Sequence, residues 1–129
     1  MGSMLGYVNK LLRRAKQRGD IEIIVGDAFG IDRHVIETCD RLGVPVTVYG
    51  AYGKFRNRSK TGKNIALQAN YTDRDEHMIA ECDMCIAVWN GRSKGTDRNF
   101  TRAIQESKQA YMWHENKLVD QQTCEIHRA

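Results

Sequence analysis

A chain of 129 residues has room for one hydrophobic core and therefore for one domain. Apolar residues make up 41% and charged residues 28%, the balance of a soluble globular protein. No apolar run approaches the roughly 18 residues of a membrane span, and no apolar segment near the N-terminus marks the chain for secretion. The net charge of +4 suits an anionic small ligand or a nucleic-acid contact and decides between neither.

Met1-Gly2-Ser3 ahead of Met4 reads as an expression remnant, which leaves 4–129 as the domain. Leu5 to Arg18 carries Val8, Leu11, Leu12 and Ala15 at helical spacing, and Gly19 ends that helix. Ile21 to Val25 is a β-branched run that predicts a buried strand. Gly26 to Gly30 breaks the pattern, and Ile31, Val35, Cys39 and Leu42 then mark a helix closed by Gly43. Val44 to Tyr49, with valines at 44, 46 and 48, predicts a second strand.

From Ala51 to Thr72 five basic residues (Lys54, Arg56, Arg58, Lys60, Lys63) occur with no acidic one. Such a run is ordinarily a solvated loop. Its length also fits a mobile flap over a ligand site, with a short helix around Asn64 to Ala69. Thr72 is placed to cap a helix running to about Glu81, with Asp73, Asp75 and Glu76 favouring its start. Met84 to Trp89 is nearly all apolar, which predicts a central strand covered on both faces. Thr96 to Lys108 is a helix, Ala110 to Trp113 a short strand, and the tail after His114 is polar and unpatterned.

Strands alternating with helices imply an α/β fold of parallel β-α-β units, in which ligands sit beyond the carboxyl ends of the strands. Two glycine-containing loops follow strands here, and one shared sheet would bring them to the same edge. In Gly91-Arg92-Ser93-Lys94-Gly95-Thr96, the glycines permit close approach, and a helix start offers N–H groups to a phosphate. Ser93 and Thr96 add hydroxyls. The same string equally fits a plain turn with Thr96 as the cap. In Gly26-Asp27-Ala28-Phe29-Gly30-Ile31-Asp32, the two carboxylates could accept hydrogen bonds from a ribose or a base, whereas Asp32 could equally cap the next helix. The dinucleotide fingerprint G-x-G-x-x-G is absent from both loops, which argues against a nicotinamide dehydrogenase.

Four cysteines (Cys39, Cys82, Cys85, Cys124) include one C-x-x-C, without a second Cys/His pair at zinc-finger spacing. They read as reduced, mostly buried residues of a cytoplasmic protein. No metal and no cofactor is implied.

The string IIVGDAFGIDRHVIETCDRLGVPVTVY, then RDEHM, then CDMCIAVWNGRSKGT resembles the SLOG superfamily. That group includes the DNA-processing protein A fold and the Lonely Guy phosphoribohydrolases, and the likeness is greatest to its small bacterial and phage members. It spans Ile21 to Trp113. The resemblance implies a Rossmann-like three-layer sandwich with a mostly parallel sheet that binds nucleotides or nucleotide-derived ligands. Relative to that pattern the chain lacks the usual first strand.

Carried over by position, Gly26, Asp27, Gly30 and Asp32 would contact sugar or base. Gly91, Ser93, Gly95 and Thr96 would hold a phosphate, and Arg74 would reach the same pocket. Hydrolytic branches carry a glutamate where this chain has Asn99, and an amide cannot replace that carboxylate. The resemblance thus favours a sensor or binding domain over a nucleoside 5′-monophosphate N-glycosidase, for which Asp97 and Asp27 are the candidate carboxylates. Single-stranded nucleic-acid binding through 51–72, with Tyr52, Phe55 and Tyr71 available for stacking, is a further reading. A homo-oligomer is compatible with each of these, and a membrane partner with none.

Overall fold

The computed structural model describes residues 2–88, 92–114, 117–120 and 125–128. Gly91 and Cys124, both singled out from the sequence, lie outside the described residues. The chain is α/β and divides into two compact units, Met1–Arg74 and Asp75–Ala129. No described helix is long and apolar enough to cross a membrane.

The first unit opens with α1 (Gly2–Arg18), which starts three residues before the apolar stripe at Leu5. Val8, Leu12 and Ala15 of that stripe are buried, and α1 packs on α2 (Ile31–Leu42). His34 Nε2 and Asn9 Oδ1 join the two helices at 2.7 Å. Ile36 and Cys39 form the buried face of α2, and burial pushes the Cys39 thiol up to about 12. Gly43 ends α2 as its sequence predicts. Its φ of 76° is left-handed, and its N–H donates to the Cys39 carbonyl at 2.8 Å.

Three parallel strands complete this unit: β1 (Ile23–Gly26), β2 (Val46–Gly50) and β3 (Lys63–Ala66), in the order β1-β2-β3. Val25 stands opposite Val48, and Gly26 opposite Tyr49. β3 replaces the helix expected around Asn64 to Ala69. Returning in parallel to β2 requires a crossover of about a dozen residues, and residues 51–62 supply it. Gly62 is necessary there because a Cβ would run into the Val46 carbonyl. The basic stretch is therefore pinned rather than flap-like. Asp40 alone accepts hydrogen bonds from Ser59 Oγ (2.5 Å), Lys60 N–H (2.8 Å) and Thr61 Oγ1 (2.9 Å).

Helix α3 (Tyr71–Glu81) begins one residue before the expected Thr72 cap. Asn70 does that work: its Oδ1 accepts the Asp73 N–H at 2.8 Å, and its carbonyl accepts the Arg74 N–H at 2.9 Å.

In the second unit, β4 (Met84–Val88), β5 (Gln109–His114), β6 (Lys117–Asp120) and β7 (Glu125–Arg128) follow one another across a sheet. β4 and β5 are parallel, and the other two pairings are antiparallel. The polar tail thus contains two strands that its sequence did not announce. β4 is the first strand of this sheet rather than a central one, and Met84 and Ile86 are exposed. Helix α4 (Lys94–Gln105) packs on β4 and β5 around a core of Ile79, Ala103 and Ala110.

Candidate functional site

The first unit gathers five of the sequence-derived residues at the carboxyl end of β1. β1 ends at Gly26, so Asp27 is the first residue beyond the strand, yet it is 1% exposed. A carboxylate so buried needs partners. Arg74 Nη1 donates to Asp27 Oδ1 at 2.9 Å, and Arg56 Nη2 donates to the same oxygen at 2.9 Å. The Arg56 backbone N–H donates to Oδ2 at 2.7 Å. Burial alone would raise the Asp27 pKa. The hydrogen bonds from Arg56 and Arg74 outweigh it and hold the carboxyl below the usual range.

Arg74 is itself buried and also donates to the Tyr49 carbonyl at 2.8 Å, at the carboxyl end of β2. Asn57 Nδ2 donates to the carbonyls of Asp27 (2.9 Å) and Ala28 (3.2 Å), so the crossover holds the loop's backbone as well. Asp32 lies in the first turn of α2 and accepts the Ala28 N–H at 3.1 Å. Its carboxylate braces the loop, and the capping position belongs to Gly30, with φ 88° and ψ −122°. That conformation is nearly closed to other residues. Gly30 offers no side chain to the first N–H groups of α2.

Arg56 joins this cluster from the basic stretch, for which the sequence allows either a solvated loop or a flap over the site. Its side chain is 35% exposed. The guanidinium lies 4.3 Å from the Tyr71 ring centroid, while Arg74 lies 5.3 Å from the same ring. An anion approaching this edge meets one exposed guanidinium whose orientation a buried carboxylate has fixed.

The expectation of a single sheet carrying both glycine loops is corrected: β1 and β4 belong to different sheets. The second loop differs from its sequence reading in the residue that caps the helix. Ser93, not Thr96, is the N-cap of α4, and its Oγ accepts the Thr96 N–H at 3.2 Å. Thr96 Oγ1 donates to the same oxygen at 3.1 Å. The helix start is thereby capped from within the chain. Asn99 Nδ2 donates to Asp75 Oδ2 at 3.1 Å, and Asp97 is exposed in the first turn of α4.

Cys82, just after α3, and Cys85, in β4, are free thiols, and burial raises the pKa of both, that of Cys85 to about 11. Thiols so shifted are poor metal ligands and nucleophiles near neutral pH. Among the described residues no three His, Cys, Asp or Glu side chains group as metal ligands.

Comparison with protein families, curated proteins and solved structures returns no match.

Proposed function

We propose that the chain is a binding domain or sensor for a nucleotide-type ligand, held by the first unit at the carboxyl edge of β1 and β2. The observation that carries this reading is the burial of Asp27 between Arg56 and Arg74. The buried carboxylate orients two guanidinium groups, and Asp32 beside them balances the second charge. What favours an anion is the exposed face of Arg56 together with the α2 N-terminus. Arg56 supplies the exposed contact, and Asp32 and the glycines shape the loop around it. A β-α-β unit with its ligand beyond the strand ends follows the Rossmann-like pattern, and the first unit is proposed to be of that type. The SLOG resemblance of residues 21–113 points the same way, and a cytoplasmic setting suits the free thiols.

Binding is favoured over N-glycosidic hydrolysis. A proton-handling carboxylate needs an accessible oxygen and a pKa near the working pH. Asp27 has neither, since its oxygens are occupied and its pKa is lowered.

Melting the full chain with nucleoside mono-, di- and triphosphates tests the reading. A ligand at a hundredfold excess over its Kd should stabilise the fold by about 2.7 kcal/mol. Arg56→Ala should weaken that effect, and chromatography should find no released base. A melting temperature unmoved by every nucleotide would sink the proposal.

A further inference from the structure

The turn after β2 places a tyrosine where its backbone is uncomfortable. Tyr52 has φ 55° and Gly53 has φ 67°. The Lys54 N–H closes the turn on the Ala51 carbonyl at 3.0 Å. Two successive left-handed residues closed in this way follow the type I′ pattern, which glycine, asparagine and aspartate fill most readily. A bulky aromatic at positive φ is an outlier.

The surrounding chain imposes the conformation. Tyr52 N–H donates to the Ala69 carbonyl at 2.8 Å, and Gly53 N–H to the Leu67 carbonyl at 2.9 Å. Burial does not compensate for the strain, because Tyr52 is 58% exposed. Its ring meets Tyr71 edge-on, with centroids 5.3 Å apart and planes at 81°. That contact fixes the ring's orientation while much of it faces solvent. Tyr71 is also the ring against which Arg56 rests. An exposed, oriented aromatic and an exposed, oriented guanidinium therefore share one neighbour, in a stretch with five basic residues and no acidic one.

We propose that Tyr52 is the base-stacking residue of a mononucleotide site, with the ligand's planar heterocycle on the exposed Tyr52 ring and its phosphate on Arg56. This rests on the nucleotide reading above and adds where the base lies. Stacking tolerates any base because every base has a π-face, so the platform supplies affinity more than base identity. A single braced ring suits one base better than the successive bases of a strand.

The test is titration of the full chain with adenosine 5′-monophosphate and with ribose 5-phosphate, which lacks the base. Tyr52→Asn and Tyr52→Gly remove the ring and suit the left-handed backbone, so they keep the fold. They should weaken adenosine 5′-monophosphate binding about tenfold or more and leave ribose 5-phosphate unchanged. Tyr52→Phe should behave as the wild type. Undiminished binding of adenosine 5′-monophosphate, or equal losses for both ligands, overturns the stacking role while the nucleotide reading stands. No binding of any nucleotide by the wild-type chain overturns both. Affinity confined to oligonucleotides and falling steeply with salt would overturn the proposal in favour of a strand-binding surface.

Discussion

Arg74 Nη1 lies 2.9 Å from Asp27 Oδ1, joining residues 47 apart in the chain, and both side chains are almost wholly buried. The pair ties the start of α3 to the end of β1, while the second Arg74 bond, to the Tyr49 carbonyl, reaches β2. A contact of this kind is worth little as a net gain, because both charges lose their water. Breaking it is another matter.

Replacing one partner leaves the other charged and buried, at a cost of about 3–5 kcal/mol. Domains of this size carry only about 5–15 kcal/mol in total. Asp27→Ala should therefore lose much of the stability measured by urea denaturation. The double replacement Asp27→Leu with Arg74→Met should cost clearly less than the two single changes together, because it leaves no orphaned partner within the pair. Additive costs would show that the two groups are not coupled.

Acid should expose the same design. Asp27 and Asp40 are both held below the ordinary value of 3.8, each because hydrogen bonds outweigh the effect of burial. A folded pKa below the unfolded one means that the unfolded chain takes up protons first as the pH falls. Their contribution is thus complete at neutral pH and drains away below about pH 4, as the pH falls through the folded values. Urea midpoints followed from neutral pH into that range should decline, and Asp40→Asn should make the decline shallower. An unchanged slope in Asp40→Asn would deny Asp40 that role.

What could be read from the sequence follows from how local each signal is. Ile31–Leu42 announces itself because helical spacing and Gly43 agree, and the GDAFGID loop because its glycines interrupt two patterned runs. β3 fails that test, being four residues long and half exposed, so no periodicity separates it from a helix turn. The apolar run of β4 suggested cover on both faces, but apolar composition does not say where a strand stands in its sheet. The pairing of Arg56 with Asp27 is hidden for a different reason: the two lie 29 residues apart, and a long-range pairing leaves no mark on the local pattern. Five basic residues without an acidic neighbour were the available hint that a carboxylate elsewhere was needed.

Gly26 and Gly95 look alike in sequence, each inside a glycine-bearing loop, and the structure separates them. A Cβ on Gly26 would stand 2.8 Å from Asp32 Oδ2 and 3.1 Å from the Arg74 guanidinium carbon. Arg74 cannot retreat without leaving Asp27 and the Tyr49 carbonyl. Gly26→Ala should therefore cost about 1–3 kcal/mol, the range for overpacking a filled site, and weaken nucleotide binding with it. At Gly95 the nearest atoms to a new Cβ are 3.9 Å away, in Arg98 and Ser93. Gly95→Ala fits without displacement and should stabilise α4 by up to about 1 kcal/mol through helix propensity. If the ligand's phosphate rests on Arg56, calorimetric titration should find nucleotide affinity unchanged in Gly95→Ala and reduced in Gly26→Ala. The reverse pattern would move the phosphate to the Ser93–Thr96 turn and leave Arg56 as a structural residue.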